Sequence, residues 1–249
     1  MQLLRRRKQP VAIGSRRSRL RASHSYGLVL SLIIASFLFA AMAPDDDWTA
    51  GVLLLLYAAI LAAAVWTSGL TGVDFRSRAV LVAVATGVAI AQLLTGGTRL
   101  YGLVAILTGV LIGAAILVIA LGVTDQRGVN AQSVRGAICV YLLLGLFFVF
   151  VYGAVAAFGD GPFFASGTDG ERGLRVYFSF VTLATLGYGD YTPGTDFGRA
   201  LAIIEALTGQ LYLVTVVALL VSRIGVQQGT ARNRAASSRG DDAPTEAGG

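Results

Sequence analysis

The chain has 249 residues, of which 55% are hydrophobic and only 14% charged, a balance outside the range of soluble domains that points to a membrane-embedded protein. Its net charge of +6 is dispersed in short clusters between apolar runs, which argues against nucleic-acid binding. A single cysteine, Cys139, excludes a disulfide or a thiolate metal site within one chain.

Residues 1–25 are basic, polar and without helical periodicity, and are expected to form a cytoplasmic arm. Ser15-Arg16-Arg17 before an apolar run resembles a twin-arginine export signal, and Ala41-Met42-Ala43 resembles a cleavage site. Pro44 just after that site and the length of the apolar run favour a retained first helix instead. His24 is solitary and reads as an interfacial residue rather than a ligand.

Charge-free stretches at 25–44, 48–73, 79–98, 100–124, 136–159 and 206–222 are each long enough, or nearly so, to cross about 30 Å of hydrocarbon as a helix. The expected fold is therefore an all-α membrane protein with six transmembrane helices. The first four, at roughly 26–43, 50–70, 79–95 and 100–123, make a membrane domain over 26–123. Basic residues at 5–21, Arg76, Arg78, Arg127, Arg135 and those after 222 fall on one side if the spans alternate. Only Arg99, Arg172, Arg175 and Arg199 fall on the other. This positive-inside asymmetry places both termini in the cytoplasm and the Asp45-Asp46-Asp47 cluster outside, at the cell membrane. For the basic tail, contact with anionic lipid headgroups is the expected role.

Gly109 and Gly113 form a Gly-x-x-x-Gly pair in the fourth span, which lets another helix approach closely. Gln92 is polar and deep in the third span, where an interhelical hydrogen bond or a buried regulatory site are both open. Residues 124–135 form a cytoplasmic linker. Residues 136–158 form an outer helix carrying Phe147, Phe148, Phe150 and Tyr152 as lipid-facing or packing surface. Residues 159–173 form an external loop. Thr168-Asp169-Gly170-Glu171 has the spacing of a capping box ahead of a short helix at 174–184.

After that helix comes Thr182-Leu183-Ala184-Thr185-Leu186-Gly187-Tyr188-Gly189-Asp190, a short polar and glycine-rich stretch between apolar runs. Such backbone is tolerated at membrane depth only where protein or water surrounds it. Residues Thr185 to Asp190 resemble the selectivity-filter signature of potassium channels, with leucine where valine is commoner, in the bacterial pore-domain family. In such a pore, rings of backbone carbonyls replace the water shell of a potassium ion. Turning consecutive carbonyls toward one axis requires alternation with left-handed backbone, which Gly187 and Gly189 adopt without a Cβ penalty. The resemblance implies ion ligands at the carbonyls of Thr185, Leu186, Gly187 and Tyr188 and at the Thr185 hydroxyl, with the Leu186 and Tyr188 side chains packing the loop against its scaffold. One chain has one such loop, so a closed ring implies a homotetramer. The permeant ligand is K+, and neither catalytic chemistry nor a cofactor is expected.

Some bacterial relatives place a glutamate four residues before the filter threonine, bonded to the aspartate after the filter. Here that position is Val181, so Asp190 needs another partner, for which the Tyr177 hydroxyl is the candidate. The first four spans occupy the place of a voltage sensor. They lack arginines at every third position of the fourth helix, where each charge moving in the field is worth about 2.3 kcal/mol per 100 mV. A voltage sensor of the usual kind is excluded.

Residues 197–224 form the expected inner helix, completing a pore domain over 136–224. Glu205 is the lone carboxylate inside a predicted span and reads as a strut for the pore helix or filter, with proton sensing as the alternative. Gly209 is either a gate hinge or a site of close packing, and Gln210, Leu213 and Val217 follow at cavity-facing spacing. Residues 225–249 are expected to be a disordered cytoplasmic tail. The chain reads as a potassium-selective channel, with a weakly selective cation channel, a transporter subunit or a regulatory subunit as alternatives.

Overall fold

The structure is a computed structural model describing residues 25–44, 46–67, 98–124 and 131–241. These residues form α1 (Ser25–Met42), α2 (Asp47–Thr67), α3 (Thr98–Thr124), α4 (Ala131–Phe158), α5 (Arg172–Leu183) and α6 (Asp196–Asp241). Their one strand-like feature is an antiparallel bridge between Phe164 and Pro193. The helices α2, α3, α4 and α6 each contain a stretch long and apolar enough to cross a membrane, four in all. Four of the expected six spans are thus seen among the described residues: the apolar part of α1, Tyr26–Met42, is shorter than such a stretch, and the predicted span at 79–95 with Gln92 lies outside the described residues, as do residues 1–24 with His24.

Helices α1, α2 and α3 pack on one another and on α4, because apolar residues surround each of them rather than forming a single stripe. Leu53, Leu54, Tyr57, Ile112, Ile119 and Leu143 are fully buried at the centre. The Gly109 and Gly113 pair faces α4, where the Phe147 ring lies 4.0 and 3.8 Å from the places their Cβ atoms would occupy. Small residues here accommodate an aromatic ring rather than bringing two backbones together. The α4 aromatics turn inward: Phe148 and Tyr152 join Phe163, Phe164 and Phe178 in a second cluster beneath the external loop.

Helix α5 has one buried face, with Arg172, Arg175, Val176, Ser179 and Leu183 recurring at helical spacing. Arg172 is 1% exposed and donates to Thr49 Oγ1 of α2 at 3.0 Å. Phe37 of α1 meets Phe180 edge to face, with ring centroids 4.8 Å apart. The front helices thus grip α5 at its first and third turns. The expected capping box does not form: the N-cap is Glu171, with no side-chain cap bond. Thr168 and Asp169 instead accept from Gly170 and Phe163 amides at 3.0 and 2.9 Å, shaping the loop rather than the helix.

Two boundaries differ from expectation. Helix α4 begins at Ala131, inside the predicted linker. Helix α6 runs on to Asp241, through most of the tail expected to be disordered. An alanine-, glutamine- and arginine-bearing segment that extends an existing helix carries no nucleation cost, which explains the continuation despite Gly225 and Gly229.

Candidate functional site

The site is built where α5 ends. Thr185 N–H donates to the Thr182 carbonyl at 2.9 Å, and Leu186 N–H donates to the Val181 carbonyl at 2.9 Å. Thr185 itself has φ +56°. These two bonds around a left-handed residue make a Schellman cap, which satisfies the last carbonyls of a helix. Its left-handed position is usually glycine; a β-branched threonine there is strained by about 1–3 kcal/mol.

Beyond the cap, Gly187 and Gly189 also have positive φ, +56° and +77°, while Leu186 and Tyr188 do not. Left-handed residues therefore fall at 185, 187 and 189. The amides of 184–187 all return to carbonyls of α5. Among the described residues, no carbonyl from Thr185 to Gly189 accepts a hydrogen bond. The loop presents a run of free carbonyl oxygens on an exposed strip of chain.

Side chains fix the strip at both ends. At its base, Gln210 Nε2 of α6 donates to Thr185 Oγ1 at 2.9 Å. At its outer end, Tyr177 Oη donates to Asp190 Oδ2 at 2.7 Å, the pairing expected once Val181 occupied the usual glutamate position. That bond keeps the Tyr177 proton in place and pushes its pKa up to about 12. The Tyr177 and Tyr188 rings stack, 6.4 Å apart and 14° from parallel. One face of Tyr188 thus meets Tyr177, but Tyr188 and Leu186 are both more than half exposed in the single chain.

Behind the strip, α5 and α6 meet in matched register. Leu183 and Gly209 touch so closely that a Cβ on Gly209 would lie 2.4 Å from the Leu183 carbonyl oxygen. Of the two roles open for Gly209, the structure displays close packing, in an unbroken helix. One turn earlier on each helix, Ser179 Oγ lies 2.5 Å from Glu205 Oε1. Tyr152 of α4 donates to Glu205 Oε2 at 2.5 Å, and Ser179 Oγ also lies 2.8 Å from the Gly145 carbonyl. Glu205 is fully buried. The sequence assigns Ser179 no role and Tyr152 only that of a lipid-facing or packing aromatic, since their contacts with Glu205 span 26 and 53 residues.

Leu213 is 40% exposed; the side chain of Val217 is not among those described. The outward face of α6 is bare, with Ile203, Leu207, Leu211 and Val214 all more than half exposed. Only 11% of the apolar stretch of α6 is buried, against 44–61% for those of α2, α3 and α4.

Residues 136–225 match the family model described as "Ion channel". The chain is 36% identical over 85 residues to "Potassium channel, subfamily K, member 16" of Mus musculus, covering 31% of this chain and 29% of that protein. It is 28% identical over 123 residues to "Protein LctB" of Bacillus caldotenax, covering 47% of this chain and 91% of that protein. The chain thus carries an ion channel domain on an all-helical membrane scaffold, and it spans less than a third of the mouse relative.

Proposed function

We propose that four copies of the chain assemble into a potassium-selective pore at the cell membrane, conducting K+ passively through a ring of 185–189 loops. The observation that carries this reading is the run of unengaged carbonyls at Thr185 to Gly189, with left-handed residues at alternate positions. Alternation of this kind sends successive amides to one side and carbonyls to the other, and a ring of such carbonyls can stand in for the water of a cation. In this pore the ligands are the carbonyls of Thr185, Leu186, Gly187 and Tyr188 with the Thr185 hydroxyl, and Gln210, Leu213 and Val217 line the cavity below. The bare face of α6 and the exposed Leu186 supply surface for neighbouring copies. Membrane lipid surrounds the remainder, both termini lie in the cytoplasm, and no cofactor takes part.

The test is ion flux in liposomes containing the purified protein. K+ is expected to pass in preference to Na+, with block by barium, and chemical crosslinking is expected to give a ladder ending at four. Equal flux of both ions would replace potassium selectivity with weak cation selectivity; a ladder ending at one or two would break the ring.

A further inference from the structure

We propose that Glu205 is a neutral carboxylic acid and the middle link of a directional hydrogen-bond chain, Tyr152 to Glu205 to Ser179 to the Gly145 carbonyl, that positions α5 between α4 and α6. The case is a count of protons. The oxygen contacts are Tyr152 Oη to Glu205 Oε2 at 2.5 Å, Glu205 Oε1 to Ser179 Oγ at 2.5 Å and Ser179 Oγ to the Gly145 oxygen at 2.8 Å. Each needs one proton. The tyrosine and serine hydroxyls bring one apiece, and a backbone carbonyl brings none. The remaining proton belongs to the carboxyl group.

An ionised Glu205 leaves one contact without a proton, since Ser179 can donate to Glu205 or to Gly145 but not to both. Two acceptor oxygens would then face each other in a buried site. It also leaves a negative charge fully buried among apolar helices, where no ion pair reaches it among the described residues. On α5, Arg172 donates to Thr49 and Arg175 to the Asp169 and Gly170 carbonyls. A buried charge without a partner is far costlier than a buried acid whose hydrogen bonds are all made.

The chain has a positional consequence. Ser179 and Leu183 on α5 meet Glu205 and Gly209 on α6, a matched pair four residues apart on each helix. Glu205 fixes that register and ties it to α4 through Tyr152. Register errors here would displace the helix end that carries Thr185. That link to conduction rests on the proposed channel function, whereas the proton chain does not.

Infrared difference spectra of the full-length protein in lipid, wild type against E205Q, test the protonation state. A carboxylic-acid carbonyl band is expected to vanish in E205Q and to move to higher frequency in Y152F and S179A, each of which removes one of its hydrogen-bond partners. Loss of carboxylate bands alone in E205Q, or an acid band unmoved in Y152F and S179A, would overturn the proposal. Thermal unfolding and K+ over Na+ discrimination test positioning. E205A and E205D are expected to impair both, and E205Q to restore what they lose, because its amide accepts from Tyr152 and donates to Ser179 as the acid does. Should E205Q be as impaired as E205A, a carboxylate is required and the neutral chain is wrong. If E205Q does not fold, the band positions in Y152F and S179A decide. An acid band that behaves as expected in vesicles without K+ flux would refute the channel reading and leave the chain intact.

Discussion

Replacing Gly209 with alanine pits two effects of opposite sign against each other at one atom. Alanine favours a helix interior over glycine by about 1 kcal/mol, so propensity alone makes Gly209→Ala stabilising. Against it, the new methyl would lie 2.4 Å from the Leu183 carbonyl oxygen and 2.9 Å from Leu183 Cδ1. Restoring an ordinary carbon contact of about 3.5 Å requires a shift of roughly 1 Å. The side chain can rotate away, but the carbonyl is backbone, two residues before the strained Thr185 that caps the helix. Overpacking a filled site typically costs about 1–3 kcal/mol, and an obstacle that cannot rotate puts this site at the upper end. The net expectation is a loss of about 1–2 kcal/mol per chain, together with weakened K+ selectivity as the filter base moves. Thermal unfolding of the assembled protein and reversal potentials in mixed K+ and Na+ measure the two effects. Leu183→Ala in the same chain removes the Cδ1 contact and leaves the carbonyl, so it is not expected to rescue. A Gly209→Ala protein that unfolds at or above the wild-type temperature with unchanged selectivity would refute the reasoning. One that is stable and selective but altered in opening would restore the hinge.

Gly187→Ala has open space for its methyl and a φ of +56°, so only backbone strain of about 1–2 kcal/mol per chain opposes it; membrane insertion is expected to survive and K+ flux to be lost, and unchanged flux would remove Gly187 from the ion path. Tyr177→Phe keeps the ring stack on Tyr188 and deletes the bond to Asp190, so conduction is expected to decline faster at low K+ than in wild type; identical time courses would deny the bond a supporting role. Because that bond raises the Tyr177 pKa from 10.0 to about 12, its contribution is complete below pH 10 and disappears as pH rises through about 12. Flux should therefore show no Tyr177-dependent change between neutral pH and 9, and a step in that window absent from Tyr177→Phe would contradict the assignment. Gln210→Leu frees the Thr185 hydroxyl from its 2.9 Å donor and is expected to change K+ over Na+ selectivity without loss of assembly, measured as a shift in reversal potential.

How far the sequence revealed the site depends on how local each cause is. Gly187 and Gly189 announced left-handed backbone because glycine is the residue that adopts it freely. Thr185 gave no such signal, since β-branched residues avoid that region, and its conformation follows from the need to cap α5. Asp190 with Tyr177 could be read because one position, Val181, was wrong for the usual partner. Glu205 stood out as a carboxylate in an apolar run, but Tyr152 looked like one aromatic among several, and nothing local marked Ser179. Thr168 and Asp169 misled because the residues that cap helices also close loops. The length of α6 was missed because a polar, alanine-bearing segment resembles a tail until the helix before it is known to be formed.

The front helices show no sensor charges, yet their contacts define what they can act on. Among the described elements they pack on α4 and on the start and middle of α5, through Thr49 to Arg172 and Phe37 to Phe180, rather than on α6. The Phe180 ring also fills the space over Gly145, where a Cβ would come within 2.7 Å of it, so α1 bears on α5 at the same level as the Ser179 to Gly145 contact. In a pore built from the 185–189 loops, movement of α1 or α2 would therefore be felt at α4 and directly at the helix whose end carries Thr185. In such a pore α5 carries the influence of the front domain toward the 185–189 loop, and α6 receives it through Glu205, Gly209 and Gln210 and through Tyr212, which stacks on Tyr141 of α4 and donates to the Ala137 carbonyl.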